Sequence, residues 1–264
     1  TDVKDVMVTS YFDSKEFTDM YTYTGNDLGA TFDNPTNPTK TTFKVWAPTS
    51  SSMTLMLYRT GDYINDKTPL REVEMTLGEK GVWSTTVNED LDGGYYTYKV
   101  TNIKGTNEAT DPYAKTAGLN GKRGMVINFD KVNQELLFDP TWPSYGENGT
   151  DASVYEMHVR DMTINPNAGV SEANRGRFLG LTEKGTTYTK GDVTVTTGLD
   201  HLKELGVTHV QILPMYDYNS VDETDVSSTM RDINYNWGYD PQNYNCLEGS
   251  YSTNPADGYS RVKE

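Results

Sequence analysis

Four short runs in the first half of the chain carry apolar residues at strand spacing, each bounded by turn residues. Thr41 to Ala47 is closed by Pro48, and Met53 to Tyr58 follows the Ser50-Ser51-Ser52 loop. Val82 to Val87 and Tyr95 to Val100 follow, the latter led in by Gly93-Gly94, and Gly124 to Phe129 is a further candidate. Short strands separated by Gly, Pro, Asn and Asp clusters predict a β-sandwich over residues 26–138. Residues 1–25 are polar and aromatic without clear periodicity and read as an irregular lead-in. Trp46 and Trp83 fall in mid-strand, which favours core packing over a role as exposed platforms.

Residues 139–150, with Pro140, Pro143, Gly146 and Gly149, read as a linker. After it the period changes. Ser153 to Val159 reads as a strand, and Thr197-Gly198-Leu199-Asp200 as a helix start with a capping-box pattern. Leu199, Leu202 and Leu205 recur at helical spacing, Gly206 sits at the C-terminal cap, and Val207 to Leu213 is a buried-looking strand ended by Pro214. Strand, crossover, helix and strand make a β-α-β unit, which implies parallel strands covered by helices. Tyr259 to Glu264 reads as helix again. A closed β/α barrel takes eight strands in about 250 residues. Residues 151–264 offer two parallel strands, so a barrel here is incomplete, with unpaired edges and an apolar face.

Composition narrows the function. The net charge of −15 disfavours phosphate backbones, so nucleic acid is an improbable partner, while a neutral polymer meets no Coulomb penalty. Acidity of this kind also serves solubility alone. Cys246 has no partner for a disulfide, and His158, His201 and His209 do not form a metal motif. No apolar run reaches about 18 residues, so no membrane span is expected. The compartment, cytoplasmic or secreted, stays open. Tyrosines number 19 against 7 Phe and 4 Trp, a bias toward side chains with an apolar face and a polar handle.

The stretch richest in chemistry is Tyr235-Asn236-Trp237-Gly238-Tyr239-Asp240-Pro241, extended by Asn243-Tyr244-Asn245. It follows a long polar loop after the second parallel strand, the end at which barrel enzymes place their sites. Trp237, Tyr239 and Tyr244 offer flat faces to a pyranose, and Asn236, Asp240 and Asn243 offer hydrogen bonds to hydroxyls. The same composition also suits a loop packed on itself with its aromatics turned inward.

Tyr235 to Pro241 resembles the signature string of type I pullulanases, in the α-amylase superfamily. Val154 to Asp161 resembles the first barrel strand of those enzymes, and Gly206 to Pro214 the second helix-to-strand step. Asp111 to Lys115 and Gly121 to Gly124 resemble the segment ahead of the barrel, and Thr42 to Pro48 the starch-type carbohydrate-binding module before it. The resemblance runs from about Asp27 onward. It implies a multidomain β and α/β fold: a β-sandwich carbohydrate-binding module, then the first part, about two strands, of a (β/α)8 TIM barrel over 151–264. It further implies that Tyr239 stacks on the sugar in the −1 subsite, that Asn236 and Asp240 hold the loop and contact the substrate, and that Trp237 is substrate-binding with them. Asp240 reads equally as a carboxylate bracing the loop beside a proline.

The family cleaves with retention, through an Asp nucleophile, a Glu acid/base and a second Asp on later strands. Such chemistry needs two carboxyls about 5–5.5 Å apart. Those strands do not occur here, so no catalytic residue is expected in this chain. Glu156, Asp161 and Asp217 read as support, and Glu156, His158 and Arg160 share one face of a strand, fit for a paired polar network. The reading is therefore the N-terminal portion of a debranching enzyme acting on α-1,6 linkages of pullulan, limit dextrin or branched dextrins. Its expected partner is the C-terminal remainder of the same enzyme. No cofactor is required, and structural calcium stays open. The alternatives are a non-catalytic glucan-binding fragment and an isoamylase- or branching-type enzyme.

Overall fold

The computed structural model describes residues 9–136, 146, 148–225 and 235–264. Most of the expected linker, with Pro140 and Pro143, lies outside the described residues, as do residues 1–8 of the lead-in.

The described part of the lead-in is helical rather than irregular. Helices α1 (Thr9–Phe12) and α2 (Lys15–Tyr21) are separated by Ser14, whose hydroxyl accepts the Phe17 N–H and caps α2. Phe17 is buried, with its ring edge-on to Trp46 at 6.4 Å between centroids. Trp46 is 40% exposed and not in the core, because Phe43 and Val45 take the inward face of the strand 41–46 and alternation turns Trp46 outward. It stands on the outer face of its sheet under α2, and its indole N–H is shared between the carbonyls of Tyr21 and Lys80.

Nine strands follow: β1 (Gly29–Phe32), β2 (Thr41–Trp46), β3 (Ser52–Tyr58), β4 (Arg71–Glu74), β5 (Thr76–Leu77), β6 (Val82–Val87), β7 (Tyr95–Asn102), β8 (Gly105–Ala109) and β9 (Gly124–Met125). One antiparallel sheet runs β1-β2-β6-β5. The other runs β4-β3-β7-β8, with β9 also on β7. Phe43, Val45, Trp83 and Val87 of the first sheet meet Leu55, Leu57, Tyr96 and Tyr98 of the second in one core. That is the expected sandwich, with Trp83 inside it. The Tyr96 and Tyr98 hydroxyls both donate to Asp111 Oδ2, at 2.9 and 3.1 Å, so the buried phenols and carboxylate satisfy one another. The expected strand at Gly124 to Phe129 is short, because helix α3 (Phe129–Leu136) begins at its end.

The second half opens with β10 (Val154–Met157) and α4 (Val159–Thr163). An antiparallel ribbon of β11 (Thr187–Lys190) and β12 (Val193–Thr196) precedes α5 (Gly198–Glu204) and β13 (His209–Ile212). β10 and β13 pair in parallel in the register Val154 with His209, and α5 lies between them in the chain. Gly206 closes α5 at φ +72°, the left-handed cap its position predicts. The capping box at its start does not form: the Thr197 hydroxyl donates to the Ala168 carbonyl instead. β13 was expected to be buried and is exposed, Val210 to 43%, because Val210 and Ile212 line a cleft with Leu199 and Leu202 of α5 that is not filled by the described residues.

An antiparallel pair, β14 (Tyr216–Tyr218) and β15 (Pro241–Leu247), then carries the segment 235–240 at its head, and helix α6 (Gly258–Lys263) follows. Asp257 caps α6 by accepting the Tyr259 and Ser260 N–H groups. Tyr259 and Val262 of α6 pack on Met56, Tyr58, Tyr95 and Met125, on the outer face of the second sandwich sheet. That sheet is therefore covered on both sides, which is why β3 and the start of β7 read as continuous apolar runs. Among the described residues no helix is long and apolar enough to cross a membrane.

Candidate functional site

The loop between β14 and β15 is built from the inside outward. Asn236 donates its amide to Ser220 Oγ at 2.6 Å and to the Asp240 carboxylate, and its side-chain carbonyl accepts the Gly238 N–H. The Asp240 carbonyl accepts from the Asn219 N–H at 3.0 Å. Burial raises the Asp240 pKa, but hydrogen bonds from Ser220 and Asn236 outweigh it, and the carboxyl titrates below its ordinary value. Gly238 has φ +96°, and a Cβ there would lie 2.2 Å from the Pro214 carbonyl oxygen, so only glycine fits. His158 Nε2 lies 2.8 Å from the Asn236 carbonyl and 3.0 Å from the Tyr251 hydroxyl.

With its polar groups turned inward, the loop presents its rings to solvent. Tyr239 is 70% exposed and Trp237 61%, and Tyr244 is exposed beside them. The self-packed alternative, with the aromatics folded inward, is not the observed arrangement at these three positions. Tyr235 is held back, its hydroxyl donating to Asp161 at 3.0 Å and its ring edge-on to Trp237. Trp237 also lines an open cleft of about 400 Å³ with Tyr155, Glu156, Met157, Asp161 and Leu213. Asn236 and Asp240 are thus braces within the loop. Asn243, offered by the sequence as a sugar-binding amide, instead donates to Asp217 and to the Gly121 carbonyl.

The expected polar network of Glu156, His158 and Arg160 does not form. The strand ends at Met157, so the three side chains do not share a face. Glu156 is exposed, His158 is buried and caps α4 by accepting the Asp161 N–H, and Arg160 lies within α4, paired with Asp161 at 2.7 Å. Asp217 is fully buried and paired with Arg261 at 2.7 Å, which bars it from substrate.

Arg261 is the centre of a cluster that the sequence reading missed. It is fully buried, donating to Asp217, to Glu223 at 2.5 Å, and to the carbonyls of Gly118, Leu247 and Pro255. Glu248 lies close by, its two oxygens accepting the Tyr218 and Ser250 N–H groups. Oxygens of Asp217, Glu223 and Glu248 lie within 4.8 Å of one another, close enough to hold a cation. The guanidinium already bonds two of the three, so the donor set does not require calcium. Nothing in the spacing of residues 217, 223, 248 and 261 announces the cluster.

Known proteins resemble both the sandwich and the chain as a whole. Residues 27–114 match carbohydrate-binding module 48, the isoamylase N-terminal domain. Over the whole chain the likeness is to pullulanases. The Bacillus subtilis pullulanase is 35% identical over 260 residues, covering 98% of this chain and 33% of that protein. A Paenibacillus barengoltzii pullulanase solved in complex with maltohexaose and α-cyclodextrin is 43% identical, with a TM-score of 0.79, covering 98% of this chain and 38% of that one. The Anoxybacillus sp. pullulanase complexed with maltotetraose is 42% identical, with a TM-score of 0.80, covering 95% of this chain and 33% of the other. The resemblance carried by Tyr235 to Pro241 therefore holds throughout: the chain is pullulanase-like in sequence and fold and corresponds to the N-terminal part of those proteins. It spans about a third of the length of these relatives.

Proposed function

We propose that the chain works as the N-terminal portion of an enzyme that hydrolyses α-1,6 branch points in pullulan and related α-glucans with retention. Its sandwich serves as a glucan-binding module, and residues 151–264 supply the first two strands of the catalytic barrel. Tyr239 stacks on the sugar at the cleaved bond, Trp237 flanks the cleft, and Asn236 and Asp240 hold the loop in shape. The nucleophile, the acid/base and the assisting carboxylate come from polypeptide that follows.

The observation that carries this reading is the open parallel pair beneath the exposed rings. β13 is exposed along its whole length, Val210 to 43% and Ile212 to 38%, as is Val154 of β10. Parallel strands are stable when covered on both faces, so these need neighbours. The relatives, of which this chain spans about a third, have the length to supply them.

The test is pullulan hydrolysis, followed as new reducing ends, by this chain alone and mixed with a separately produced C-terminal remainder. The lone chain is expected to be inactive and the mixture active. Hydrolysis by the purified lone chain would overturn the reading. Titration of maltooligosaccharides in both samples separates out the glucan-binding fragment: affinity unchanged by the remainder favours that alternative. Transfer products instead of new reducing ends would point to a branching enzyme.

A further inference from the structure

The sandwich reaches directly into the base of the sugar-facing loop. Its turn Leu119–Gly121 enters the second half backbone first. Gln242 donates to the Asn120 carbonyl at 2.6 Å, and Asn243 to the Gly121 carbonyl at 3.0 Å. Both amides also donate to Asp217 Oδ2, at 3.2 and 2.6 Å, so one carboxylate oxygen and two turn carbonyls fix the start of β15. Asn120 is locked in return. Its N–H donates to Glu223, and its side-chain carbonyl accepts the Glu223 N–H at 2.7 Å.

The turn cannot be built another way. Gly121 has φ +62°, and a Cβ there would lie 2.0 Å from Asp217 Oδ2 and 2.4 Å from the amide nitrogens of Gln242 and Asn243. Asn120 is left-handed too, at φ +51°, a conformation that asparagine tolerates better than most residues. Two consecutive left-handed residues press the backbone into a crevice that admits no side chain at Gly121.

Gln242 stands three residues after Tyr239. Between them Pro241 is fixed in register with Tyr218, and the Asp240 carbonyl is held by Asn219. At the other side of the loop Gly238 is pressed against Pro214. The Tyr239 ring is therefore carried on a short span anchored by Pro214 at one side and by the sandwich turn at the other.

We propose that Asn120, Gly121 and Gln242 are positioning residues: the sandwich sets where the Tyr239 platform stands, and so tunes glucan engagement in the cleft without touching sugar. The proposal rests on the reading of Tyr239 given above. Misplacing a binding group by about an ångström costs on the order of a hundredfold in rate, so a small shift is readable.

The experiment is a double-variant cycle in the complete polypeptide. Gly121→Ala and Gln242→Ala are each made with Tyr239 present and in a Tyr239→Ala background. Both kcat/KM on pullulan and the Kd of maltohexaose are measured, the latter being readable even where turnover is lost. With Tyr239 present, each variant is expected to weaken one or both quantities by about tenfold. In the Tyr239→Ala background the further loss should be less than about twofold, since the ring to be positioned is gone. Losses that multiply in the double variants overturn the proposal while leaving Tyr239 a sugar contact. A Tyr239→Ala variant with unchanged kinetics and affinity overturns both readings. Gln242→Ala brings no steric clash, so the cycle does not depend on Gly121→Ala folding.

Discussion

Tyr239 and Asp240 are neighbours in the chain with opposite duties, one ring exposed and one carboxylate turned into the loop. A stacked aromatic contributes about 1–3 kcal/mol to holding a flat ligand. Tyr239→Ala in the complete enzyme should therefore lower kcat/KM on pullulan by about five- to 150-fold, with thermal stability unchanged because the ring is mostly in solvent. Asn236→Ala should do the reverse in part. It removes donors to Ser220 and Asp240 and the acceptor for the Gly238 N–H, so it lowers the melting temperature and activity together. Melting curves of the two variants compared with their kinetics check the assignment. A stability loss in Tyr239→Ala, or none in Asn236→Ala, would reverse the two roles.

At the scale of elements, the exposed parallel pair makes its own prediction. Val210 and Ile212 on one face of the pair and Val154 on the other are exposed apolar side chains on strands with open edges, an arrangement prone to pairing with other chains. Val210→Lys should reduce self-association of the lone chain, read as light scattering against concentration. The same change should impair recovery of activity when the C-terminal remainder is added, because the lysine then lies where a neighbour must pack. Improved solubility with undiminished reconstitution would show that this face stays open in the enzyme. The strands that were legible in the sequence are those that carry the apolar and aromatic core: β2, β3, β6 and β7 fell within a residue or two of their expected bounds. β4 and β8 were not legible, since Arg71–Glu74 and Gly105–Ala109 are polar edge strands whose only signal is their partner. The aromatic loop was legible because its string is distinctive. Its inward amides were not, because composition cannot say whether Asn236 and Asn243 face a ligand or their own backbone. Trp46 misled for a similar reason: a mid-strand tryptophan packs on either face, and here α2 covers the outer one.

The whole molecule is held together by the Arg261 cluster, which ties α6 and the second half to the sandwich carbonyl of Gly118. Tyr95 and Thr116 add to this seam, through the Ala256 carbonyl, the Gly258 N–H and the Gly258 carbonyl. Three buried carboxylates share one guanidinium, and protonation relieves the excess charge. Burial first, then repulsion from Glu223 and Asp217, pushes Glu248 up to about 8; burial, partly offset by Arg261, pushes Glu223 up to about 7. In the unfolded chain both titrate near 4.5. The folded state therefore binds more protons than the unfolded one between those values. The stabilisation is complete below pH 4.5, is lost as pH rises toward 8, and changes no further above it. Asp33, whose pKa is depressed by hydrogen bonds from Thr39 and Lys40, acts in the opposite sense but below this window. The urea midpoint should thus fall from about pH 5 to about pH 8.5, and Glu248→Gln should flatten that slope. A midpoint that rises over the same range would contradict the buried-carboxylate account. Arg261→Met goes further, since it leaves Asp217 and Glu223 without their counter-ion at a cost of about 3–5 kcal/mol. Because those residues join both halves, the loss should also uncouple them. Wild-type unfolding, followed by the fluorescence of buried Trp83 and of loop Trp237 in variants retaining one tryptophan at a time, should give one shared transition. In Arg261→Met the Trp237 transition should come first, at lower urea, with the sandwich surviving it; coincident transitions there would mean that the apolar seam under Tyr259 and Val262 binds the halves without the ion cluster.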